Sequence, residues 1–136
     1  MKRLLDAVLL RNRMVALFEE AILESNDANG RRLLTFVTAG GGYAGTETAG
    51  AVNDFVRETA KYYPDLSEEL IRVVIVHPGN FLLAELGEEL GRYAERKLME
   101  RRVEIFKGTL VTDYDGALVQ LNNGPSRRRP SYGRPE

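Results

Sequence analysis

Apolar residues recur at helical spacing in three stretches of the chain. The first stretch covers residues 3–25, although Arg11 and Asn12 interrupt its apolar face. The second covers residues 44–62 and the third covers residues 85–101. These spacings predict three amphipathic helices. In the third helix, five side chains are expected to face inward: Leu86, Leu90, Tyr93, Ala94 and Leu98.

The charged residues of the third predicted helix lie three and four positions apart with opposite signs. This spacing brings oppositely charged side chains together on a helix surface and stabilises the helix. We therefore expect these residues to form a face that is exposed to solvent. They are Glu88, Glu89, Arg92, Glu95, Arg96 and Lys97.

Short β-rich runs alternate with the predicted helices. Residues 33–39 form one such run, and residues 72–77 form an unbroken β-branched run of the kind found in strands that are covered on both faces. Asp115-Gly116 is a strong hairpin signal. The pattern predicts an α/β fold, with a Rossmann-like parallel sheet, a small antiparallel β-meander and an N-terminal helix. Three short strands are predicted at residues 103–107, 110–114 and 118–121, so the order along the chain is β-α-β-α-β followed by an antiparallel meander.

The chain divides into three segments by composition. Residues 1–30 are predicted to form the N-terminal helix and a linker, because turn-forming residues fill positions 25–30. Residues 31–124 carry the alternating strands and helices of the predicted domain. Residues 125–136 have almost no apolar content and are predicted to be a disordered basic tail. Three consecutive arginines in this tail could touch nucleic acid, but an unstructured tail is favoured and no nucleic-acid partner is predicted.

Composition narrows the chemistry further. The chain has 136 residues, a formal net charge of −1, one histidine and no cysteine. The length fits one domain, and the balanced charge favours neither nucleic acid nor a membrane surface as a partner. Without cysteine, thiol redox chemistry and iron–sulfur clusters are excluded, and no metal site is predicted. Since no apolar run approaches the roughly 20 residues of a membrane helix, no transmembrane segment is predicted and the expected location is the cytoplasm.

One glycine-rich segment carries the candidate chemistry. Gly40-Gly41-Gly42-Tyr43-Ala44-Gly45 has the pattern G-x-G-x-x-G, between a predicted strand and a predicted helix, as a dinucleotide fingerprint requires. The first glycine permits a tight turn, Gly42 lets a pyrophosphate approach the backbone, and Gly45 lets the helix pack closely on the strand. Amides at the start of the helix attract the pyrophosphate. The alternative is a glycine-rich turn that binds no ligand. The candidate cofactor-binding residues here are Gly40, Gly41, Gly42, Tyr43, Ala44 and Gly45.

Two further residues are candidates for the same site. Dinucleotide-binding domains usually carry an acid at the end of the second strand, which holds the ribose 2′-hydroxyl, but here the strand ends at His77. His77 could bind the ribose, face a 2′-phosphate when protonated, or simply be exposed beside a turn, so the choice between NAD and NADP stays open. Glu47 is a candidate catalytic acid at the mouth of a nicotinamide site. Alternatively, it is a first-turn carboxylate that the helix dipole stabilises.

The stretch TAGGGYAGTETAG at residues 38–50 resembles the second nucleotide-binding fingerprint of type II NADH dehydrogenases. These flavoproteins have two dinucleotide-binding domains and are related to the FAD-dependent pyridine nucleotide-disulfide oxidoreductases. The resemblance covers about residues 8–124. Three other parts of the chain share it: residues 10–13 with 18–19, residues 62–64 with 72–76, and residues 86–90 with 103–105.

This resemblance implies an NADH-binding domain of a flavin-dependent NADH dehydrogenase. In that family, NADH passes a hydride to FAD, and the electrons continue to a quinone at the membrane. The resemblance implies that Gly40, Gly42 and Gly45 bind the NADH pyrophosphate. It places Glu47 near the nicotinamide and the flavin, and His77 against the adenosine ribose. NADH is accordingly the expected cofactor.

The chain also departs from the family pattern. Ala51 stands where the family often has glutamate, and neither the FAD-binding half nor the membrane-binding helices of the family are found in these residues. We therefore expect a truncated chain that does not hold FAD and is not catalytically complete alone. The alternatives are a stand-alone nucleotide-binding module, a subunit that pairs with a separate flavoprotein chain, and a non-functional gene fragment. Self-association is a further possibility if the N-terminal helix exposes its apolar side chains, which include Leu4, Leu5, Val8 and Leu9.

Overall fold

The structure, a computed structural model, describes residues 4–114, 118–122, 131–132 and 134–135. It contains four α-helices within these residues: α1 (Leu4–Ile22), α2 (Asp27–Leu33), α3 (Tyr43–Ala60) and α4 (Glu88–Glu100). Its strands are β1 (Thr35–Ala39), β2 (Arg72–Val76), β3 (Val103–Phe106), β4 (Leu110–Tyr114), β5 (Leu118–Asn122), β6 (Ser131–Tyr132) and β7 (Arg134–Pro135). Two 3₁₀ turns lie at Glu68–Leu70 and Ala84–Leu86.

The main sheet is parallel, with the strand order β3-β2-β1-β7. Thr38 lies opposite Ile75, and Ile75 lies opposite Ile105, so β1, β2 and β3 run side by side in one register. Their carboxyl ends therefore meet at one edge of the sheet. The second sheet is antiparallel, with the order β4-β5-β6. The predicted α/β fold class, with its parallel sheet, antiparallel meander and N-terminal helix, is confirmed.

The two faces of the parallel sheet are packed differently. Phe36, Val73 and Ile75 point to the helical side and join a core that includes Phe18 of α1 and Val56 of α3. All five of these side chains are fully buried. Burial of each such side chain contributes on the order of 1.5–3 kcal/mol, so this face holds the domain together. The opposite face carries a smaller cluster made by Val37, Val74 and Val76, with Phe106 and Val111 packed against it.

Helix α2 was not predicted from the sequence. Its N-cap is Asn26, whose side chain accepts hydrogen bonds from the backbone N–H groups of Ala28 and Asn29. Leu33, at the last position of the helix, is buried. The residues that indicated a turn therefore act as a helix cap, since asparagine and aspartate favour both places. The prediction of a plain linker before residue 31 was wrong at these residues.

Helix α4 turns a different face to the core than its pattern predicted. Leu86, Leu90 and Tyr93 were expected to face inward, but about half of each residue's surface is exposed. The buried face instead runs through Gly91, Glu95 and Leu98, with Ala94 half-buried. A Cβ atom at Gly91 would overlap the carbonyl oxygen of Leu82, so this glycine brings the helix against the preceding loop and fixes its rotation.

The structure also differs from the sequence prediction at four residues of the tail. Ser131 and Tyr132 pair with β5, and Arg134 and Pro135 pair in parallel with β1. A strand at the edge of a sheet presents unpaired backbone groups that an added segment can bond, which explains this pairing without any apolar pattern. The other residues of the predicted disordered tail, and the predicted Asp115-Gly116 hairpin, lie outside the described residues. No helix among the described residues combines the length and the apolar content needed to cross a membrane.

Candidate functional site: the glycine loop at the carboxyl edge of the sheet

The glycine-rich segment connects β1 to α3 at the carboxyl edge of the parallel sheet. Gly40 has a φ of +99°, a left-handed conformation that glycine adopts readily, so the chain turns sharply here. Gly42 is the N-cap of α3 and has an extended backbone, with φ −73° and ψ −170°. The position that needs glycine for its backbone conformation is therefore Gly40, as its predicted role in the turn requires.

The backbone N–H groups of this loop fall into two sets. The Gly40 N–H donates to the carbonyl of Val76 at 2.7 Å, and the Gly41 N–H donates to Nδ1 of His77 at 2.9 Å. The Thr46 N–H donates to the carbonyl of Gly42, which begins the hydrogen-bond ladder of α3. Between these anchors, four consecutive N–H groups have no hydrogen-bond partner among the described residues. They belong to Gly42, Tyr43, Ala44 and Gly45.

These four unpaired donors form the positive end of α3. The first amides of a helix have no partner within it, and together they carry a partial positive charge of about half an elementary charge. No side chain caps them, because Gly42 occupies the N-cap position. Such a helix start favours an anion, and backbone N–H groups are the usual donors to a phosphate there.

The glycines differ in the space around them. A Cβ atom at Gly45 would overlap the carbonyl oxygen of Gly40, so only glycine fits where α3 leaves the loop. A Cβ atom at Gly41 would overlap the Leu82 side chain and come within 2.9 Å of the His77 ring. A Cβ atom at Gly42 would meet nothing within 4 Å. The surface over Gly42 is therefore open, as the approach of a pyrophosphate would require.

His77 stands just after β2 and touches the loop instead of pointing away from it. Since Nδ1 accepts the Gly41 N–H, the proton of the neutral imidazole lies on Nε2 in this arrangement. The Nε2 atom is buried and has no hydrogen-bond partner among the described residues. Gly79 lies over this nitrogen, since a Cβ atom there would come within 2.9 Å of it. A protonated ring facing a 2′-phosphate would have to give up the bond to Gly41.

The segment after His77 is tied to the same loop. The Leu83 N–H donates to the Gly41 carbonyl at 2.9 Å, and the Thr46 hydroxyl donates to it at 3.2 Å. Leu83 adopts a left-handed conformation with φ 55°. Gly41 is therefore bonded at both its N–H and its carbonyl.

Glu95, on α4, stabilises the segment that follows β2. Its carboxylate accepts the Leu82 N–H at 3.0 Å and pairs with the Lys107 ammonium at 2.9 Å, and only 6% of the residue is exposed. The prediction that Glu95 belongs to a solvated face was wrong. The charge pattern gave no signal of this role. Gly91, four residues earlier on the same face of α4, was the available indication of close packing.

Glu47 lies at the fifth position of α3, and the first turn of this helix contains no acidic residue. The expected first-turn placement was therefore wrong, because the helix begins at Tyr43. The helix dipole acts mainly within the first turn and gives Glu47 little stabilisation. Its side chain is exposed and makes no hydrogen bond or ion pair with any described residue. It is therefore accessible to a ligand or to another protein surface.

A cavity of about 550 Å³ lies away from the glycine loop. Arg57 and Arg102 both pair there with Glu68, at 3.7 and 2.8 Å. Burial and the neighbouring Arg102 lower the pKa of Arg57, while Glu68 opposes that effect. Neither the glycine loop nor the segment after β2 contributes to the lining, so the cavity is not part of the candidate site. Its lining residues are Asp54, Arg57, Glu58, Ala60, Lys61, Leu66, Glu68 and Arg102.

Sequence comparison shows that this chain is similar to NADH:quinone and NADH-ubiquinone oxidoreductases. The type II NADH:quinone oxidoreductase Ndh of Mycobacterium tuberculosis is 34% identical over 131 residues, which cover 94% of this chain and 28% of that relative. The mitochondrial external NADH-ubiquinone oxidoreductase 2 of Saccharomyces cerevisiae is 29% identical over 136 residues, covering 98% of this chain and 25% of that relative. The chain thus spans about a quarter of the length of these relatives.

A solved structure shows the same fold. The structure of NDH2 from Plasmodium falciparum in complex with NADH superposes with a TM-score of 0.86 over 98% of this chain and 27% of that chain, at 18% sequence identity. The sequence also matches the profile of the pyridine nucleotide-disulphide oxidoreductase family over residues 13–126. The resemblance that the glycine-rich fingerprint indicated is therefore confirmed, and the chain belongs to the pyridine nucleotide-disulphide oxidoreductase family.

Proposed function

We propose that this chain is the NADH-binding domain of a flavin-dependent NADH dehydrogenase. The observation that carries the proposal is the run of four unpaired backbone N–H groups from Gly42 to Gly45, at the open start of α3. An anion placed there meets several aligned donors and the positive end of the helix. The dinucleotide pyrophosphate is the anion that the G-x-G-x-x-G pattern is built to hold.

Within this proposal, the six residues of the fingerprint have two different roles. Gly42, Tyr43, Ala44 and Gly45 offer their N–H groups to the pyrophosphate. Gly40 and Gly41 shape the loop, since their own N–H groups are already bonded to the end of β2. The candidate cofactor-binding set is thus kept, but only its last four residues act as direct donors.

The chemistry of the whole enzyme needs a second group. A flavin held beside the nicotinamide would supply the acceptor for the hydride of NADH, and in the family the electrons continue to a quinone. The relatives support this reaction, since they are NADH:quinone and NADH-ubiquinone oxidoreductases. Glu47 is proposed to lie near the nicotinamide and the flavin, because it is exposed on α3 close to the loop. The proposed location is cytoplasmic, with the complete protein peripheral on the membrane.

A second candidate is a nucleotide-binding subunit that pairs with a separate flavoprotein chain. Exposed apolar residues at the N-terminal helix favour it: 41% of Val8, 57% of Leu9 and 86% of Leu23, just after α1, remain accessible. Apolar surface of this kind commonly marks a contact with another protein. Self-association through the same helix remains a prediction, and a stand-alone nucleotide-binding module is the other alternative.

One experiment tests both candidates. The purified chain is scanned for flavin absorbance and then titrated with NADH by fluorescence. We expect saturable NADH binding without stoichiometric flavin absorbance, and Gly42→Val is the matched control that should lose the binding. Flavin that copurifies in stoichiometric amount would show that the chain holds FAD alone. Failure of the wild-type chain to bind NADH would overturn the proposed function.

A further inference from the structure

Gly41 is the point at which the segment after β2 holds the glycine loop. Its N–H is bonded to the His77 ring, and its carbonyl accepts from the Leu83 N–H. Gly41 is buried, and it has no room for a Cβ atom between the Leu82 side chain and the imidazole. The contact is therefore close-packed as well as hydrogen-bonded. It lies directly before the four unpaired amides that begin at Gly42.

We infer that His77 is a positioning residue, whose Nδ1 fixes the Gly41 amide and thereby sets the orientation of the four amides that follow it. This inference rests on the proposed function, because those four amides are the donors proposed for the pyrophosphate. It assigns His77 a role that acts through the backbone of the loop. A role as a ribose contact would act on the ligand directly.

The physical basis is the cost of an unpaired buried donor. A buried N–H that loses its partner forfeits its hydration without compensation, so the chain moves to recover a bond. At Gly41 that movement is a rotation of the peptide planes on either side. The Gly41 N–H lies in the peptide plane between Gly40 and Gly41, and the next plane carries the Gly41 carbonyl, which Leu83 holds, and the Gly42 N–H, the first donor of the unpaired set. A loop without the acceptor on residue 77 therefore presents misaligned donors, even when the rest of the domain is intact.

The chemistry of the ring agrees with this role. Only a neutral imidazole with an unprotonated Nδ1 can accept from Gly41. Its remaining donor, Nε2–H, is buried and shielded by Gly79. The side chain thus offers its acceptor to the loop and exposes no nitrogen to a ligand in this conformation.

Two substitutions separate positioning from ribose contact. His77→Asn retains a carbonyl oxygen that can take the place of Nδ1 as an acceptor, whereas His77→Leu retains the bulk without the acceptor. We expect NADH affinity to fall about fivefold or more in His77→Leu, in line with the loss of one hydrogen bond, and to be largely restored in His77→Asn. The same titration with an NADH analogue that lacks the adenosine 2′-hydroxyl should show an equal loss in His77→Leu. A direct contact to that hydroxyl would make the loss disappear with the analogue.

A spectroscopic measurement tests the geometry in the free protein. His77 is the chain's single histidine, so the ¹⁵N resonances of its ring are assigned without ambiguity. We expect an unprotonated Nδ1 and a protonated Nε2 at neutral pH, and a Gly41 amide that exchanges with solvent faster in His77→Leu than in the wild type and His77→Asn. The tautomer measurement depends neither on ligand binding nor on the folding of a variant, since it uses the wild-type protein alone and can contradict the inference.

The results of these experiments distinguish failure of the inference about His77 from failure of the proposed function. Wild-type protein that binds no NADH defeats the proposed function, and the ring tautomer then still decides whether His77 holds the loop. Wild-type binding with unchanged affinity in folded His77→Leu overturns the inference and leaves the proposed function intact. Equal weakening in the asparagine and leucine variants also overturns it, because the acceptor would then be irrelevant. A wild-type His77 ring that is protonated on Nδ1 would also overturn the inference.

Discussion

The molecule has two strand-to-helix loops at the same edge of its sheet, and they differ in which backbone donors are bonded within the protein. The loop between β1 and α3 leaves four consecutive N–H groups unpaired at the start of its helix. In the loop between β2 and α4, the N–H groups of His77, Leu82, Leu83 and Leu86 are bonded within the protein. The second loop is bonded to the first through Leu83 and to α4 through Leu82, and it acts as a support for the first.

The two loops nevertheless share one packing device. A Cβ atom at Gly45 would overlap the carbonyl oxygen of Gly40, and a Cβ atom at Gly91 would overlap that of Leu82. In both cases a glycine lets a helix approach the loop that precedes it. Close packing therefore does not distinguish a binding loop from a supporting one. The distinction lies in where the amides find their partners.

The largest expected effect comes from Gly45→Ala. Its methyl group would overlap backbone, which can give way only if α3 moves, so we expect a loss of unfolding free energy of roughly 3 kcal/mol together with loss of NADH binding. Gly50→Ala is the matched control on the same helix, because a Cβ atom there meets nothing within 4 Å. The control should gain up to about 1 kcal/mol from helix propensity. Denaturant titration of both variants checks this, and equal stability would mean that the contact at Gly45 relaxes freely.

The loop between β2 and α4 should be destabilised by substitution of Glu95, which bonds it from α4. Glu95→Ala leaves the Leu82 N–H without its buried acceptor and Lys107 without its partner, at a cost of about 2 kcal/mol in unfolding free energy. Glu95→Gln keeps an amide oxygen for Leu82 but loses the charge and the acceptor for Lys107, so it should cost less than the alanine variant. Thermal unfolding of the pair measures the difference. If the two variants are equally stable, an acceptor for the Leu82 N–H adds nothing to the unfolding free energy, and the loss of the charge accounts for the whole effect.

These two positions also show what the sequence could reveal. The fingerprint glycines follow a local pattern that needs no knowledge of the fold, and the structure places Gly45 as that pattern requires. Glu95 follows no such pattern. It lies among charged neighbours at helical spacing, and its burial depends on a loop carbonyl that packs against Gly91. A long-range contact of this kind rotates the whole helix and overrides its apolar stripe, so Leu90 is exposed.

Some residue types suit two local structures, and this explains another difference between the sequence prediction and the structure. Asparagine and aspartate serve equally in turns and as helix caps, and the choice at Asn26 depends on Leu33 finding a place in the core. The His77 ring shows a further limit. Its position at the end of β2 was readable from the sequence, but its bond to Gly41, 36 residues earlier in the chain, was not.

A smaller effect, confined to binding, is expected for Gly42→Val. The backbone at Gly42 has a φ of −73°, which valine can adopt, and its surroundings are open, so the fold should tolerate the change. The side chain would stand where a pyrophosphate approaches, and NADH affinity should fall more than tenfold, about 1.4 kcal/mol. Titration with NADH beside a stability measurement gives both numbers. Unchanged affinity in the folded variant would mean that the open loop serves structure alone.

The smallest effect is expected for Glu47→Gln. The side chain is exposed and has no partner among the described residues, so NADH affinity should change by less than about twofold, which is typical of surface substitutions. The proposed role near the nicotinamide and the flavin concerns hydride transfer and would appear only in a flavin-containing protein. A large loss of NADH affinity in the isolated chain would instead place Glu47 in direct contact with the nucleotide.

The double attachment of Gly41 also has a dynamic consequence. Local opening of the glycine loop has to break the bonds to His77 and Leu83 together, since both end on the same residue. Segments joined in this way open as one cooperative unit, with a single free energy. Fluctuations of the loop between β1 and α3 are therefore tied to those of the segment after β2. A ligand that reduces the motion of one segment therefore also reduces the motion of the other.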